Sequence, residues 1–296
     1  MRILLTGALG QVGTELAPLL RQLGEVTAVD RAECDLASEK GLRALVADTQ
    51  PSVIINPAAY TAVNEAETQT DLARAINGTA PGILADEARK LGAMFLHYST
   101  DYVFNGEKQG SYVETDEPSP LNMYGLTKLE GERAVAAAGG RYLILRTSWV
   151  YGSHGANFLL TIRRLAQEKE ELKIVSDQIG APTSSGQIAR ATARLVQRFA
   201  ASPLGEFPAG LYHMTAAGST SWFGFAQAIV DAMPTRKLQR LLPQLTSEYP
   251  TPAKRPMNSL LDNSKFDHTF GFRLGDWQSA TASVLRELEL RQTVSN

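Results

Sequence analysis

Cysteine is nearly absent from this sequence, and histidine is scarce and scattered. The 296 residues include one cysteine, Cys34, and four histidines that lie far apart. A single cysteine excludes a disulfide within the chain and fits a reducing compartment. Because the chain has neither an HExxH sequence nor a pair of cysteines, we predict no catalytic metal.

Long hydrophobic runs and blocks of like charge are missing as well. No apolar run approaches the roughly 20 residues that span a bilayer. We also expect no signal peptide, since a strand-like run begins at Arg2. The formal net charge is −2 without a basic block, which argues against nucleic-acid or membrane-surface partners. These absences predict a globular, cytoplasmic protein.

The sequence does contain short apolar runs that alternate with helical patterns. The runs lie at residues 2–6, 26–29, 53–56, 94–98 and 142–146. Such alternation predicts an α/β fold with a doubly wound parallel sheet of the Rossmann type. Ligands of these sheets bind at the carboxyl ends of the strands. The loops that begin at Gly7, Asp30, Ala59 and Thr100 should therefore meet at one edge.

The composition changes after Gly152, where the loops become rich in proline and glycine. We predict a dinucleotide-binding domain over residues 1–152 and a smaller, mixed α/β domain, mainly for substrate binding, over residues 153–296. One strand of the second half, at about residues 172–176, is expected to return to the main sheet.

A glycine turn follows the first apolar run and precedes a helical pattern. Gly7, Gly10 and Gly13 have the spacing GxxGxxG. In that context glycines let the backbone approach a pyrophosphate at the helix N-terminus, although a purely structural turn would use the same residues. The turn, together with the acidic residue after the second run, predicts binding of NADPH or NADH.

Asp30 and Arg31 leave the choice between the two cofactors open. Asp30 could accept hydrogen bonds from the adenosine ribose, which favours NADH, or could cap the strand end. Arg31 could pair with a 2′-phosphate and admit NADPH. The complete set of predicted cofactor-binding residues is Gly7, Gly10, Gln11, Val12, Gly13, Asp30, Arg31, Asp35, Leu36, Ala58, Ala59, Tyr60, Thr61, Tyr98, Tyr124 and Lys128.

Tyr124 and Lys128 are the candidate catalytic pair, with Thr100 as a third member. The two residues lie four positions apart at the start of a predicted helix and so share one face. A neighbouring ammonium should lower the pKa of the tyrosine and favour proton donation to a carbonyl oxygen. Thr100, or Ser99 beside it, could donate to the same oxygen. The alternative is an exposed pair of side chains without a role.

These motifs resemble the extended short-chain dehydrogenase/reductase family. The similarity rests on the glycine turn, on Ser99-Thr100-Asp101 and on Tyr124-xxx-Lys128. Further segments resemble the dTDP-4-dehydrorhamnose reductases within that family, and these lie at residues 97–104, 120–128, 146–151, 178–183, 210–213 and 255–259. The resemblance therefore covers nearly the whole chain, including the substrate half.

The resemblance implies reduction of the 4-keto group of dTDP-4-dehydro-L-rhamnose to dTDP-L-rhamnose, with Tyr124 as proton donor. It implies that Thr100 and Asp101 contact the sugar and that Trp149 lines the sugar pocket. We take Arg255 as the candidate for the substrate diphosphate, since a guanidinium matches phosphate geometry. A surface arginine in a proline-rich loop is the alternative.

The resemblance leaves alternatives open for the oligomeric state and for the activity. Some relatives form a homodimer assisted by a divalent cation, but Gly186 stands where we expect a carboxylate ligand. The C-terminal helices could still pair two subunits. A non-catalytic regulatory subunit, an epimerase or a reductase for another nucleotide sugar would share the fold.

Overall fold

A computed structural model describes residues 1–294 of the chain. Its strands are β1 (Arg2–Leu5), β2 (Glu25–Ala28), β3 (Val53–Asn56), β4 (Met94–Thr100), β5 (Arg141–Thr147), β6 (Val150–Tyr151), β7 (Glu171–Val175), β8 (Ile179–Gly180), β9 (Thr183–Ser184), β10 (Gly210–His213), β11 (Thr220–Ser221) and β12 (Arg240–Gln244). Its α-helices are α1 (Gln11–Arg21), α2 (Glu39–Thr49), α3 (Val63–Ala66), α4 (Thr70–Arg74), α5 (Ala80–Leu91), α6 (Met123–Ala138), α7 (Phe158–Glu168), α8 (Ser185–Phe199), α9 (Trp222–Asp231), α10 (Ser264–Phe270) and α11 (Trp277–Val294). A π-helical turn, Ala75–Thr79, joins α4 to α5.

The central sheet contains six strands in the order β10-β5-β4-β3-β1-β2. Every neighbouring pair is parallel. The predicted doubly wound parallel sheet is therefore confirmed. Strands β3 and β4 are buried along their whole length, because helices cover both faces of the sheet.

The register of the sheet brings the polar strand ends together. Asn56, the last residue of β3, is opposite His97 of β4. Thr100, the last residue of β4, is opposite Thr147 at the end of β5. Polar side chains on separate strands thus meet at the carboxyl edge, where the sequence predicts ligand binding.

Two hydrophobic clusters lie on opposite faces of the sheet. One contains residues of α1, α8 and α10, and the other contains residues of α2 and α5. Helix α8, from the second half of the chain, thus shares a core with the first half. A side-chain cap begins α2, where the hydroxyl oxygen of Ser38 accepts from the amide of Gly41.

One predicted strand pairs differently from our expectation. Strand β7, which matches the run at residues 172–176, pairs with β12 in a separate two-stranded sheet and does not return to the main sheet. Its apolar residues Leu172 and Ile174 pack on a third cluster formed by α7, α9 and α11. The free edge of β5 is occupied by β10 instead, so the second half reaches the main sheet by another segment.

Over residues 1–294, none of the helices combines the length and the apolar character needed to cross a membrane. The expected boundary at residue 152 stays a prediction.

Candidate active site

A cavity of about 580 Å³ lies at the carboxyl edge of the central sheet. This volume is typical of sites for small molecules and cofactors. All the residues predicted to bind a cofactor line it, from the glycine turn through residues 58–61 to Tyr98, Tyr124 and Lys128. Thr6, Ser99 and Thr147 also contribute to the wall. None of these three is among the predicted cofactor-binding residues, although Ser99 is the predicted alternative to Thr100 as a donor and each is a polar residue at or beside the end of an apolar run.

The glycine turn has no room for side chains at two of its positions. Gly7 has a φ of 59°, and a Cβ on this residue would lie 2.9 Å from the Cα of Ala58. A Cβ on Gly13 would lie 2.1 Å from the carbonyl oxygen of Gly7. Helix α1 begins directly after Gly10, without a side-chain cap at its N-terminus. Its first amides are therefore available to an anion that enters the cavity.

The acidic residues after β2 are already engaged in turns. A carboxylate oxygen of Asp30 accepts from the amide of Ala32 at 2.8 Å. The carboxylate of Asp35 accepts similarly from the amide of Ala37 at 3.0 Å. Each carboxylate retains a second oxygen, and Arg31 is exposed beside them. The capping alternative for Asp30 is thus present, and the predicted ribose contact would have to use its remaining lone pairs.

The loop after β3 is held in shape by one buried amide. Asn77 lies in the π-helical turn and is buried. Its Oδ1 accepts from the amide of Tyr60 at 2.8 Å, and its Nδ2 donates to the carbonyl of Tyr60 at 3.0 Å. These bonds set the backbone that forms one wall of the cavity.

Tyr124 lies at the start of α6 with its ring edge against Tyr102, at 5.6 Å between ring centroids. Burial raises the pKa of Tyr124, while a hydrogen bond with the side chain of Thr100 acts in the opposite direction. Lys128 is not among the groups that shift the pKa of Tyr124. The expectation that Lys128 lowers this pKa is therefore wrong for this structure, because desolvation of the phenol dominates.

Lys128 is buried and directed toward β4. Its Nζ donates to the carbonyl of Tyr98 at 2.5 Å and lies 3.2 Å from Nε2 of His97. Burial lowers the pKa of Lys128 to about 8, and Glu132 one turn later opposes that shift. Tyr98 meets the cavity beside this contact, but its hydroxyl lies 2.6 Å from Oγ1 of Thr192 on α8 and is therefore already satisfied.

Asp101 is a buried carboxyl group beside the catalytic candidates. Its side chain is 3% exposed, and its Oδ2 has no hydrogen-bond partner among the described residues. Its Oδ1 accepts from the hydroxyl of Thr100 at 3.0 Å. Burial raises the pKa of Asp101 to about 6, although the side chains of Ser259 and Thr100 act in the opposite direction. An unpartnered buried oxygen is a candidate acceptor for a ligand hydroxyl.

Trp149 and Arg255 lie outside the wall of the 580 Å³ cavity. The indole of Trp149 stacks on Trp222 with 3.6 Å between ring centroids. Its backbone adopts a φ of 47°, an uncommon conformation for a large residue. Arg255 interacts with the side chain of Tyr102, and its Nε has no partner among the described residues. Tyr102 therefore contacts both Arg255 and Tyr124.

Glu15, His154 and Glu287 form a cluster that could hold a cation, with one ligand atom from each within 4.8 Å of the others. A guanidinium nitrogen of Arg291 lies 2.5 Å from Glu287 and 3.0 Å from His154. The guanidinium of Arg291 therefore already supplies a positive charge at this cluster. Gly186 lines the neighbouring cavity with Glu15 and Glu287, and as a glycine it offers no carboxylate.

The chain matches the family described as RmlD substrate binding domain over residues 1–290. It is 48% identical over 295 residues to the dTDP-4-dehydrorhamnose reductase of Burkholderia thailandensis, with 97% of this chain and 99% of the relative covered. It is 41% identical over 296 residues to the reductase of the same name from Escherichia coli K12, with 97% and 98% covered.

Solved structures give the same result. A dTDP-4-dehydrorhamnose reductase from Bacillus anthracis, solved in complex with NADP, aligns with a TM-score of 0.89 and 33% identity, covering 97% of this chain and 99% of that one. The corresponding structure from Clostridium acetobutylicum aligns with a TM-score of 0.89 and 38% identity, covering 98% and 100%.

Proposed function

The chain belongs to the RmlD substrate binding domain family, and we propose that it reduces the 4-keto group of dTDP-4-dehydro-L-rhamnose to give dTDP-L-rhamnose. The observation that carries this proposal is the match to reductases of that name over nearly the full length of both chains. The protein is an oxidoreductase that uses NADPH or NADH.

The cavity fits a dinucleotide on three counts. Gly7 and Gly13 admit close approach where a Cβ would collide. The open N-terminus of α1 suits a pyrophosphate, and Asp30 and Arg31 stand at the end of β2, where the adenosine ribose is recognised in such folds. When bound, the cofactor supplies the hydride.

Tyr124 is the proposed proton donor to the carbonyl oxygen of the sugar. Because burial keeps its pKa above the usual value, the phenol carries its proton at neutral pH and is available as an acid. A hydrogen bond with the side chain of Thr100 orients the phenol. Lys128, one helical turn away, lines the same cavity, and its ammonium is the proposed donor to a hydroxyl of the nicotinamide ribose.

The sugar side of the site is assigned to Thr100, Asp101, Trp149 and Arg255. The support for Asp101 is its unpartnered oxygen, which suits a sugar hydroxyl. Trp149 and Trp222 offer a stacked aromatic pair, and aromatic faces pack well against sugar rings. Arg255 retains an unpartnered Nε and is the proposed contact of the diphosphate.

We further propose a cytoplasmic enzyme without nucleic-acid or membrane partners, able to form a homodimer. A net charge of −2 without a basic block supports the first statement. For the dimer, the support is an open groove of about 420 Å³ lined by residues of α8 and α11.

The test is an assay of NADPH oxidation with dTDP-4-dehydro-L-rhamnose and with its UDP analogue. We expect one NADPH consumed per sugar, and faster turnover with the dTDP form. Conversion of the sugar without net NADPH consumption would indicate an epimerase. Tight NADPH binding with no turnover of any keto-sugar would indicate a regulatory subunit, and either result contradicts the proposal.

A further inference from the structure

Behind the cavity wall, four polar side chains form an unbroken chain across the central sheet. Nζ of Lys128 lies 3.2 Å from Nε2 of His97, and Nδ1 of His97 lies 3.2 Å from Nδ2 of Asn56. Oδ1 of Asn56 lies 2.6 Å from Oγ1 of Thr6. The residues beside them in β1, β3 and β4 are largely apolar, so these contacts are the local exception.

The two end members of this hydrogen-bond chain, Thr6 and Lys128, line the cofactor cavity, while its two middle members do not. Thr6 directly precedes the glycine turn, and Lys128 lies one helical turn after Tyr124. His97 and Asn56 are each 0% exposed. The chain therefore connects two separate parts of the wall through a solvent-free path. A buried polar group without a partner is costly, so every member needs its bonds satisfied.

Counting donors and acceptors shows that the hydrogen bonds in this chain depend on one another. Burial and the nearby Lys128 hold the pKa of His97 well below its ordinary value, so its ring is neutral, with one donor and one acceptor. An ammonium on Lys128 must donate to Nε2, which leaves Nδ1–H to donate to the amide oxygen of Asn56. The amide nitrogen then donates to Thr6.

A neutral Lys128 reverses every bond. Nε2–H of His97 then donates to the lone pair of Nζ, the Asn56 amide nitrogen donates to Nδ1, and the Thr6 hydroxyl donates to the amide oxygen. A half-turn of the amide exchanges its oxygen and nitrogen with almost no change of shape. The two arrangements differ by one proton, that of Lys128.

We propose that His97 is a positioning residue for Lys128, and that the chain Lys128–His97–Asn56–Thr6 reverses its hydrogen-bond direction when Lys128 gains or loses its proton. The inference deepens the proposed function and rests on it, since Lys128 has a role in catalysis only if the protein is a reductase. His97 holds the ammonium toward the cavity and provides an acceptor that adapts to either protonation state.

Among the described residues, few ionisable groups surround the hydrogen-bond chain. Glu132, one turn after Lys128, favours its charged form but is itself paired with Arg146 at 2.6 Å. Tyr124, one turn before Lys128, keeps its proton across the working range. The pKa of Lys128, about 8, puts the reversal within reach of ordinary assays, and loss of activity at alkaline pH should report it.

Three substitutions in the active enzyme test how much each member of the hydrogen-bond chain affects the ionisation of Lys128. His97→Phe preserves a flat ring but removes the acceptor of the ammonium, and should move the alkaline limb of kcat/KM to lower pH by about one unit. His97→Gln, whose amide oxygen can reach Lys128, should keep the wild-type limb. Thr6→Val, at the far end, should shift it by less than half as much.

Tyr212→Phe is the matched control, because Tyr212 is also buried in the central sheet and its hydroxyl donates to the carbonyl of Pro208, outside the hydrogen-bond chain. It should lower the melting temperature without moving the alkaline limb. A purely structural role of His97 would give the same result for His97→Phe as for the control, and would overturn the inference.

The decisive readout does not depend on activity. Nitrogen NMR of the histidine-labelled wild-type protein should show His97 neutral at pH 6, with the proton on Nδ1, and on Nε2 at pH 10. In Lys128→Met the tautomer should no longer change over this range. A single tautomer throughout in the wild type, or an imidazolium form with an ordinary pKa near 6.5, would overturn the inference even if the protein reduces its keto-sugar.

Discussion

The cofactor side and the substrate side of Tyr124 are assembled from very different distances along the chain. The 580 Å³ cavity on the cofactor side is lined mainly by loops that follow strands of one parallel sheet. On the substrate side, Trp149 stacks on Trp222, and the side chain of Asn122 donates to the carbonyl of Lys254 at 2.7 Å. One side is built from local motifs and the other from long-range packing.

The difference shows which kind of site a single sequence reveals. A strand followed by a glycine turn and a helix determines its own geometry, so its residues can be recognised together. Long-range contacts between loops carry no local pattern. The following substitutions test whether the two sides are also functionally separable.

Tyr124→Phe should have the largest effect, since Tyr124 lies between the two sides. Loss of a general acid typically costs about 10²–10⁴ in turnover. We expect kcat to fall by that factor, measured as NADPH oxidation, while NADPH affinity measured by fluorescence changes little. Turnover close to that of the wild type would remove Tyr124 from the mechanism.

Gly13→Ala should disable the cofactor side alone. The added Cβ would lie 2.1 Å from the carbonyl oxygen of Gly7, so the turn must distort and NADPH affinity should fall at least tenfold. Gly205→Ala is the matched control, because a Cβ there meets nothing within 4 Å. Equal NADPH affinity in the two variants would contradict the phosphate-binding role of the turn.

Trp149→Phe should affect the substrate side alone. Shrinking one ring of the stacked pair reduces aromatic contact worth about 1 kcal/mol, so the KM for the sugar nucleotide should rise about fivefold while NADPH affinity stays constant. Trp222→Phe, the other ring of the stack, should have a smaller effect if Trp149 contacts the sugar. The reverse order would exchange their roles.

Asp101→Asn should trade activity for stability. Because burial raises the pKa of Asp101 from 3.8 to about 6, the folded state binds this proton more tightly than the unfolded chain. The carboxylate therefore costs stability as pH rises from roughly 4 to 6, and the full cost, about 1–3 kcal/mol, persists above that range.

The variant should accordingly be more stable than the wild type at pH 7 and equal to it near pH 4, as measured by chemical denaturation. Asp86→Asn is the control of opposite sign, because Lys90 and Arg89 lower the pKa of Asp86 to about 2 and its carboxylate stabilises the fold. A destabilised Asp101→Asn at pH 7 would show that the hydrogen bonds of the carboxylate outweigh its desolvation.

Arg31→Ala should have the smallest effect. Arg31 is exposed at the rim of the cavity, where a contact with a 2′-phosphate is partly screened by water. We expect a decrease of severalfold in the preference for NADPH over NADH, from kcat/KM measured with each cofactor. An unchanged ratio would leave Asp30 and the loop around it to determine the choice.

Several structural features were accessible from the sequence because their causes are local. Alternating apolar runs predicted the parallel sheet. The residues at the strand ends share one edge as a consequence of parallel topology, so the sequence alone could assign Gly7, Asp30, Ala59 and Thr100 to that edge. The chemistry of Tyr124 and Lys128 followed from their spacing and from the resemblance to known reductases.

Tertiary structure decided the rest, because those properties depend on partners distant in sequence. Strand β7 pairs with β12 since their apolar faces share a cluster with α7 and α9, which no property of residues 172–176 reveals. The pKa of Tyr124 is raised because the fold desolvates its phenol, whereas the i,i+4 spacing had suggested the opposite. The contact of His97 with Lys128 arises because β4 passes beneath α6, and only the packed fold brings these two side chains together.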